Sequence, residues 1–161
     1  MPLIIEDGTG VVDANSYVST EEYKTYAIAR GIAVPSDDEI DAALIKAMDY
    51  LEIKPCFAGY KIDDEQSLAF PRDAFTGIPK NLKIAQIRLA IAVIEGIELL
   101  PNISGNSIDY VIREKVGPIE TEYASGSQFS GQATFVAVDA LLAALIGDNC
   151  GNPFTFSVFR G

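Results

Sequence analysis

The stretch from Pro79 to Leu100 constrains the fold more than any other part of the chain. Pro79 suits a first helical turn, where a missing N–H costs nothing, and Pro101 ends the run. On a wheel of about 100° per residue, Leu82, Ala85, Leu89, Val93, Gly96, Ile97 and Leu100 share one face. Ile84, Ile87, Ile91 and Ile94 form a second stripe on nearly the opposite side. A helix at the rim of one small core needs a single apolar stripe. Two stripes leave two arrangements: a central helix covered within its own domain, or a helix with one stripe on the core and the other on a neighbouring subunit. The second arrangement makes Ile84, Ile87, Ile91 and Ile94 a subunit interface. Gly96 interrupts the pattern at modest cost, and a close helix crossing there would account for it.

The chain has 161 residues, 48% of them apolar, enough for one domain with a core of its own. Its net charge of −11 favours solubility and opposes a broad nucleic-acid-binding face, which needs a basic footprint. Met1 to Glu6 lacks the basic start and long apolar run of a signal peptide, so none is expected. No apolar run approaches a membrane span. Cys56 and Cys150 have no metal-ligand spacing and read as reduced thiols, with a disulfide between them left open.

In chain order, Glu6-Asp7-Gly8-Thr9-Gly10 reads as a turn, since the lysine and strand–loop–helix setting of a phosphate loop are missing. Ser19 with Glu22 makes a capping box, Val18 with Tyr23 a hydrophobic staple, and Gly31 a helix stop. Ser36 with Glu39 opens a second helix, whose acidic first turn complements the helix dipole. Ile40, Ala43, Leu44, Ala47, Met48 and Leu51 follow at helical spacing until Pro55. An irregular crossing runs from Cys56 to Ile78. Within it, Leu68 and Phe70 are expected to reach the core from an extended segment, with Pro71 favouring that backbone. Phe70, Pro71 and Arg72 read as structural anchors, Arg72 tying a loop down through carboxylate or carbonyl bonds.

Beyond Pro101 the period changes. Ile108, Tyr110 and Ile112 alternate, as do Ile119, Thr121 and Tyr123, so residues 107–124 read as an extended, β-like arm bent at Gly117-Pro118. Ala124 to Gln132 is a Ser- and Gly-rich link. Phe135, Val138, Leu141, Leu142 and Leu145 mark a last helix that Gly147 stops. The fold expected is therefore mainly α, a small bundle of four helices with an extended arm, over residues 1–147. Residues 148–161 form an extended C-terminal tail. Phe154, Phe156, Val158, Phe159 and Arg160 in that tail read as a partner-docking segment, because aromatic side chains are costly to leave in water.

No histidine is present, which removes the commonest general base and metal ligand. Nucleophile elbow, Walker loop and zinc spacing are absent as well. The sequence therefore assigns no catalytic, cofactor or metal residue. Asp63, Asp64 and Glu65 are the residues an accessory enzyme would have to use.

Several stretches together resemble a family of tailed-bacteriophage head–tail connector, or adaptor, proteins that complete the head. They are Glu6 to Gly10, Ala14 to Ser19, Arg30-Gly31, Ala42 to Ile45 with Asp49 to Leu51, Gln66 with Leu68 and Phe70-Pro71-Arg72, Gly77-Ile78-Pro79, Glu114 to Ile119 with Glu122-Tyr123, and Val158 to Gly161. They fall in the family's order over nearly the whole chain. Phe70 stands where the family commonly has Trp. The resemblance implies a virion protein forming a homo-oligomeric ring, a dodecamer, below the portal protein and against a tail or stopper protein. DNA would pass through the lumen without specific binding. Related sequences are also labelled DnaT-like single-stranded-DNA-binding proteins, so a single-stranded-DNA-binding module is the alternative, and an accessory enzyme the third.

Overall fold

The computed structural model describes residues 2–53, 56–100, 113–116, 119–122 and 135–147. Four helices dominate: α1 (Thr20–Ile28), α2 (Asp37–Ile53), α3 (Lys80–Ile94) and α4 (Val136–Ala143). Between α3 and α4, β1 (Arg113–Val116) pairs antiparallel with β2 (Ile119–Glu122), with Val116 opposite Ile119 and Arg113 opposite Glu122. Ile108, Tyr110 and Ile112, the first part of the expected arm, lie outside the described residues.

The starts of α1 and α2 follow from their caps. Ser19 Oγ accepts from the Glu22 N–H, and Glu22 returns a bond to the Ser19 N–H at 2.9 Å. Val18 and Tyr23, the staple pair, are both fully buried. At α2, the Glu39 carboxylate accepts from the Ser36 N–H at 3.1 Å and from the Ser36 hydroxyl at 2.7 Å.

α3 ends sooner than the bracketing prolines predict. Gly96 has φ +87°. Its N–H bonds to Val93 O at 3.0 Å, and the Ile97 N–H reaches back to Ala92 O at 2.9 Å. These are the two bonds of a Schellman stop, for which a left-handed glycine is the preferred residue. A Cβ on Gly96 would meet nothing within 4 Å. The glycine therefore terminates the helix, and among the described residues no helix crosses close to it.

α3 packs on both α2 and α4, while α1 leans on α2. The core includes Ile40, Leu44 and Leu51 of α2, Leu82 and Leu89 of α3, and Leu142 of α4, with Tyr17 and Phe70 from the connecting segments. Gln86 sits fully buried among them. Its side-chain oxygen accepts from the Tyr17 N–H at 3.0 Å, and its amide donates to Ser16 Oγ at 2.8 Å and Leu44 O at 3.1 Å. One side chain thus ties the N-terminal segment to α2 and α3. Glu6, also fully buried, accepts from the N–H groups of Gly8, Gly10 and Val11 at 2.7 to 3.0 Å. The Gly-Thr-Gly turn closes on its own chain.

Residues 56–58 lie antiparallel to 145–147 through Ala58 N to Leu145 O at 2.9 Å and Gly147 N to Cys56 O at 3.2 Å. Cys56 is disulfide-bonded, which corrects the reduced-thiol reading.

Candidate functional site

Phe70 is fully buried, within an aromatic cluster whose ring centroids lie 4.9 Å away for Phe57, 5.4 Å for Phe75 and 6.3 Å for Tyr17. The Phe70–Pro71 bond is cis. The segment is a series of bends, not a strand, and Gln66 shapes it. Its amide donates to Leu68 O at 2.9 Å and Pro71 O at 3.1 Å. Arg72 donates to three carbonyls, those of Ala58, Ala69 and Gly59. The Tyr17 hydroxyl accepts from the Phe70 N–H at 3.0 Å and donates to Glu52 at 3.3 Å. Burial pushes the Tyr17 phenol well above its usual range, and the Glu52 charge adds to the shift. Burial also raises Glu52, against the opposing bond from the Ala69 N–H. All of these bonds close within the chain.

The isoleucine stripe of α3 is covered unevenly. Ile87 is buried, Ile84 and Ile91 are partly buried, and Ile94 is 37% exposed, followed by Ile97 at 41%. Leu82 and Leu89 on the other face are fully buried, whereas Val93 is only partly so. Asp63, Asp64 and Glu65 form an exposed turn in which Asp63 Oδ1 accepts from the Glu65 N–H at 2.9 Å. No group of three or more metal-ligating side chains occurs among the described residues. Phe154, Phe156, Val158, Phe159 and Arg160 lie outside the described residues.

Several of the described cations are already engaged. Lys24 pairs with Asp37 at 2.8 Å and Glu21 at 3.1 Å, and Lys83 with Glu22 at 2.8 Å. Arg72 and Lys61 are bound to loop carbonyls. Arg30 and Arg88 instead face a cleft of about 340 Å³ whose lining contains no carboxylate among the described residues. One wall is the end of α1, with Tyr26, Arg30 and Ile32. α3 supplies Arg88 and Ile91, and the start of α4 supplies residues 135–138.

Local chemistry fixes this cleft. The left-handed Gly31 turns the chain after α1. Arg30 therefore folds back, its guanidinium carbon 3.5 Å from the Tyr26 ring centroid and its Nη1 3.3 Å from Tyr26 O. A guanidinium over a ring is a favourable cation–π placement. Phe135 is held edge-on by Tyr50, 5.7 Å between centroids. Phe135 occupies the N-cap of α4 and offers no side-chain acceptor to the first turn. The first-turn N–H groups thus add a positive dipole end to the two guanidinium charges, and Asp139 in that turn complements the dipole from outside the cleft lining. A second cleft, of about 420 Å³ at the end of α3, mixes Lys46 with Asp49 and Glu98 and has no such bias.

Tyr26 and Arg30 sit at a local spacing of four, but Arg88 and Phe135 come from elements far along the chain. Ile91, assigned to a subunit interface, lines the cleft beside α4 of the same chain.

The fold and the cleft define a class: a small α-helical protein of acidic composition with a cationic, aromatic-walled depression among its described residues. A family model described as "Putative DnaT-like ssDNA binding protein" matches residues 1–161, and the chain belongs to that family. No curated protein and no solved structure shows significant similarity to it.

Proposed function

We propose that the protein binds single-stranded DNA weakly, through the cleft between α1, α3 and α4. The observation that carries this reading is the pairing of Arg30 and Arg88 beside Tyr26 and Phe135, with no carboxylate in the described lining. Guanidinium groups recognise phosphate, and aromatic and apolar walls accept bases. The family description supports the same class of ligand. A net charge of −11 keeps the affinity low and confines contact to this site. The reading assigns no catalysis and no cofactor.

Fluorescence anisotropy with a labelled oligodeoxythymidine tests it. If two phosphates are neutralised, log K falls with log salt with a slope of about −1.4, at about −0.7 per phosphate for a single strand. The double variant Arg30→Gln/Arg88→Gln removes most of the binding and most of the slope. Absent binding at low salt, or binding that the double variant leaves unchanged, overturns the reading.

A second reading rests on a different observation. The incompletely covered end of the isoleucine stripe, Ile94, is what an interface between copies of the chain would use. In that reading the protein is a bacteriophage head–tail connector, a dodecameric ring between a portal protein and a tail or stopper protein, with DNA in its lumen. Native mass spectrometry separates the two. A closed ring without DNA affinity favours the connector, and a monomer with salt-sensitive DNA affinity favours the first reading.

A further inference from the structure

The size and charge of the cleft point to a strand end more than to a strand interior. Its volume of about 340 Å³ lies near the lower limit of ligand pockets, about 300–1,000 Å³, which is room for one nucleotide. A groove that tracks a strand needs cations recurring along a path. Here the described lining holds two cations, Arg30 and Arg88, with no lysine or further arginine to continue a path. On a chain of net charge −11, each added internucleotide phosphate beyond those two meets repulsion, so a ligand that enters by one end is favoured over one that lies across. A terminal phosphate carries a charge of about −1.5 to −2 at neutral pH, against one per internal phosphate. Two guanidinium groups match that charge, and Arg fits the phosphate as a planar fork.

We infer that the cleft takes the phosphorylated terminal nucleotide of a single strand, with the phosphate between Arg30 and Arg88 and the base against Ile32, Ile91 and Phe135. This rests on the single-stranded-DNA reading and narrows it to one end of the ligand. Arg30 keeps one guanidinium face on Tyr26 and an Nη1 bond to Tyr26 O, and its remaining N–H groups are those that donate to the phosphate.

The test uses the full chain and four probes by anisotropy and competition at low salt: oligodeoxythymidine with a 5′-phosphate, with a 3′-phosphate, with hydroxyls at both ends, and a covalently closed single-stranded circle. One of the two phosphorylated forms is expected to bind about tenfold more tightly than the hydroxyl form, from the added charge-assisted bonds. The circle competes poorly. Arg88→Gln, an exposed position whose loss leaves the fold intact, removes the preference, as does Arg30→Gln. Unchanged thermal melting of both variants confirms that the effect is local. A circle that competes as well as the linear strand overturns the end preference and leaves the single-stranded-DNA reading standing. Failure of every probe to bind overturns both.

Discussion

Replacing Gln86 with leucine tests how the N-terminal segment is fixed to the helices. The two side chains have similar helix propensity, so α3 itself is little affected. The substitution deletes three hydrogen bonds, to the Tyr17 N–H, Ser16 Oγ and Leu44 O. Their losses are unequal. Ser16 Oγ keeps its bonds to Val18, donating to the carbonyl at 2.7 Å and accepting from the N–H at 3.1 Å. Leu44 O lies within α2, where the helical ladder continues to use it. The Tyr17 N–H is left buried with no acceptor, a penalty of about 1–3 kcal/mol. The added apolar burial of leucine returns part of this. The net loss expected is about 2 kcal/mol, a large share of the roughly 5–15 kcal/mol that a domain has. Urea unfolding with an unchanged m-value measures it. A Gln86→Leu protein as stable as the parent would show that the Tyr17 amide finds another acceptor, and that Gln86 is not the tie described.

Other expectations follow from single sites. Phe70→Ala empties a fully buried position among three rings and should lower stability by about 3–5 kcal/mol; a loss below about 1 kcal/mol by urea unfolding contradicts the anchor role. Gly96→Ala has open space for its methyl group but must hold φ near +87°, so the melting curve should report a loss of about 1–2 kcal/mol from conformation alone. For Glu22, burial acts upward, but the bonds from Lys83 and from Ser19 outweigh it and hold the carboxyl below its ordinary value of 4.5. A lowered carboxyl contributes stability that is present above the unfolded value and lost as pH falls through the folded one. Glu22→Gln should therefore flatten the fall in urea midpoint across that acidic window; an unaltered pH profile refutes the assignment.

The sequence carried the local parts of this fold well. Ser19, Glu22, Ser36 and Glu39 announce two helix starts because a cap is a matter of a few consecutive residues. The core spacing of α2 was equally readable. Gly96 was misread because a glycine within an apolar pattern can mark a crossing or a stop, and only its backbone angle decides. Gln86 gave no signal, since a glutamine between two apolar stripes looks like a solvated position until its three partners surround it. The cleft was hidden for a further reason: Tyr26 and Arg30 are local, but Arg88 and Phe135 reach them only through the packing of α3 and α4. Net charge gives no view of such a site, because it averages over the whole chain and does not report where two arginines come together.

The most direct measurement is an NMR titration of the labelled protein with a 5′-phosphorylated oligodeoxythymidine, and in parallel with the 3′-phosphorylated form. The amide signals of Arg30, Ile32, Arg88, Ile91, Val136 and Ala137 are expected to move together on adding one of them, while those of Lys46, Asp49 and Glu98 around the second cleft stay in place. Shifts confined to that second cleft, or to the Asp63–Glu65 turn, or no shifts with either strand, would contradict this expectation.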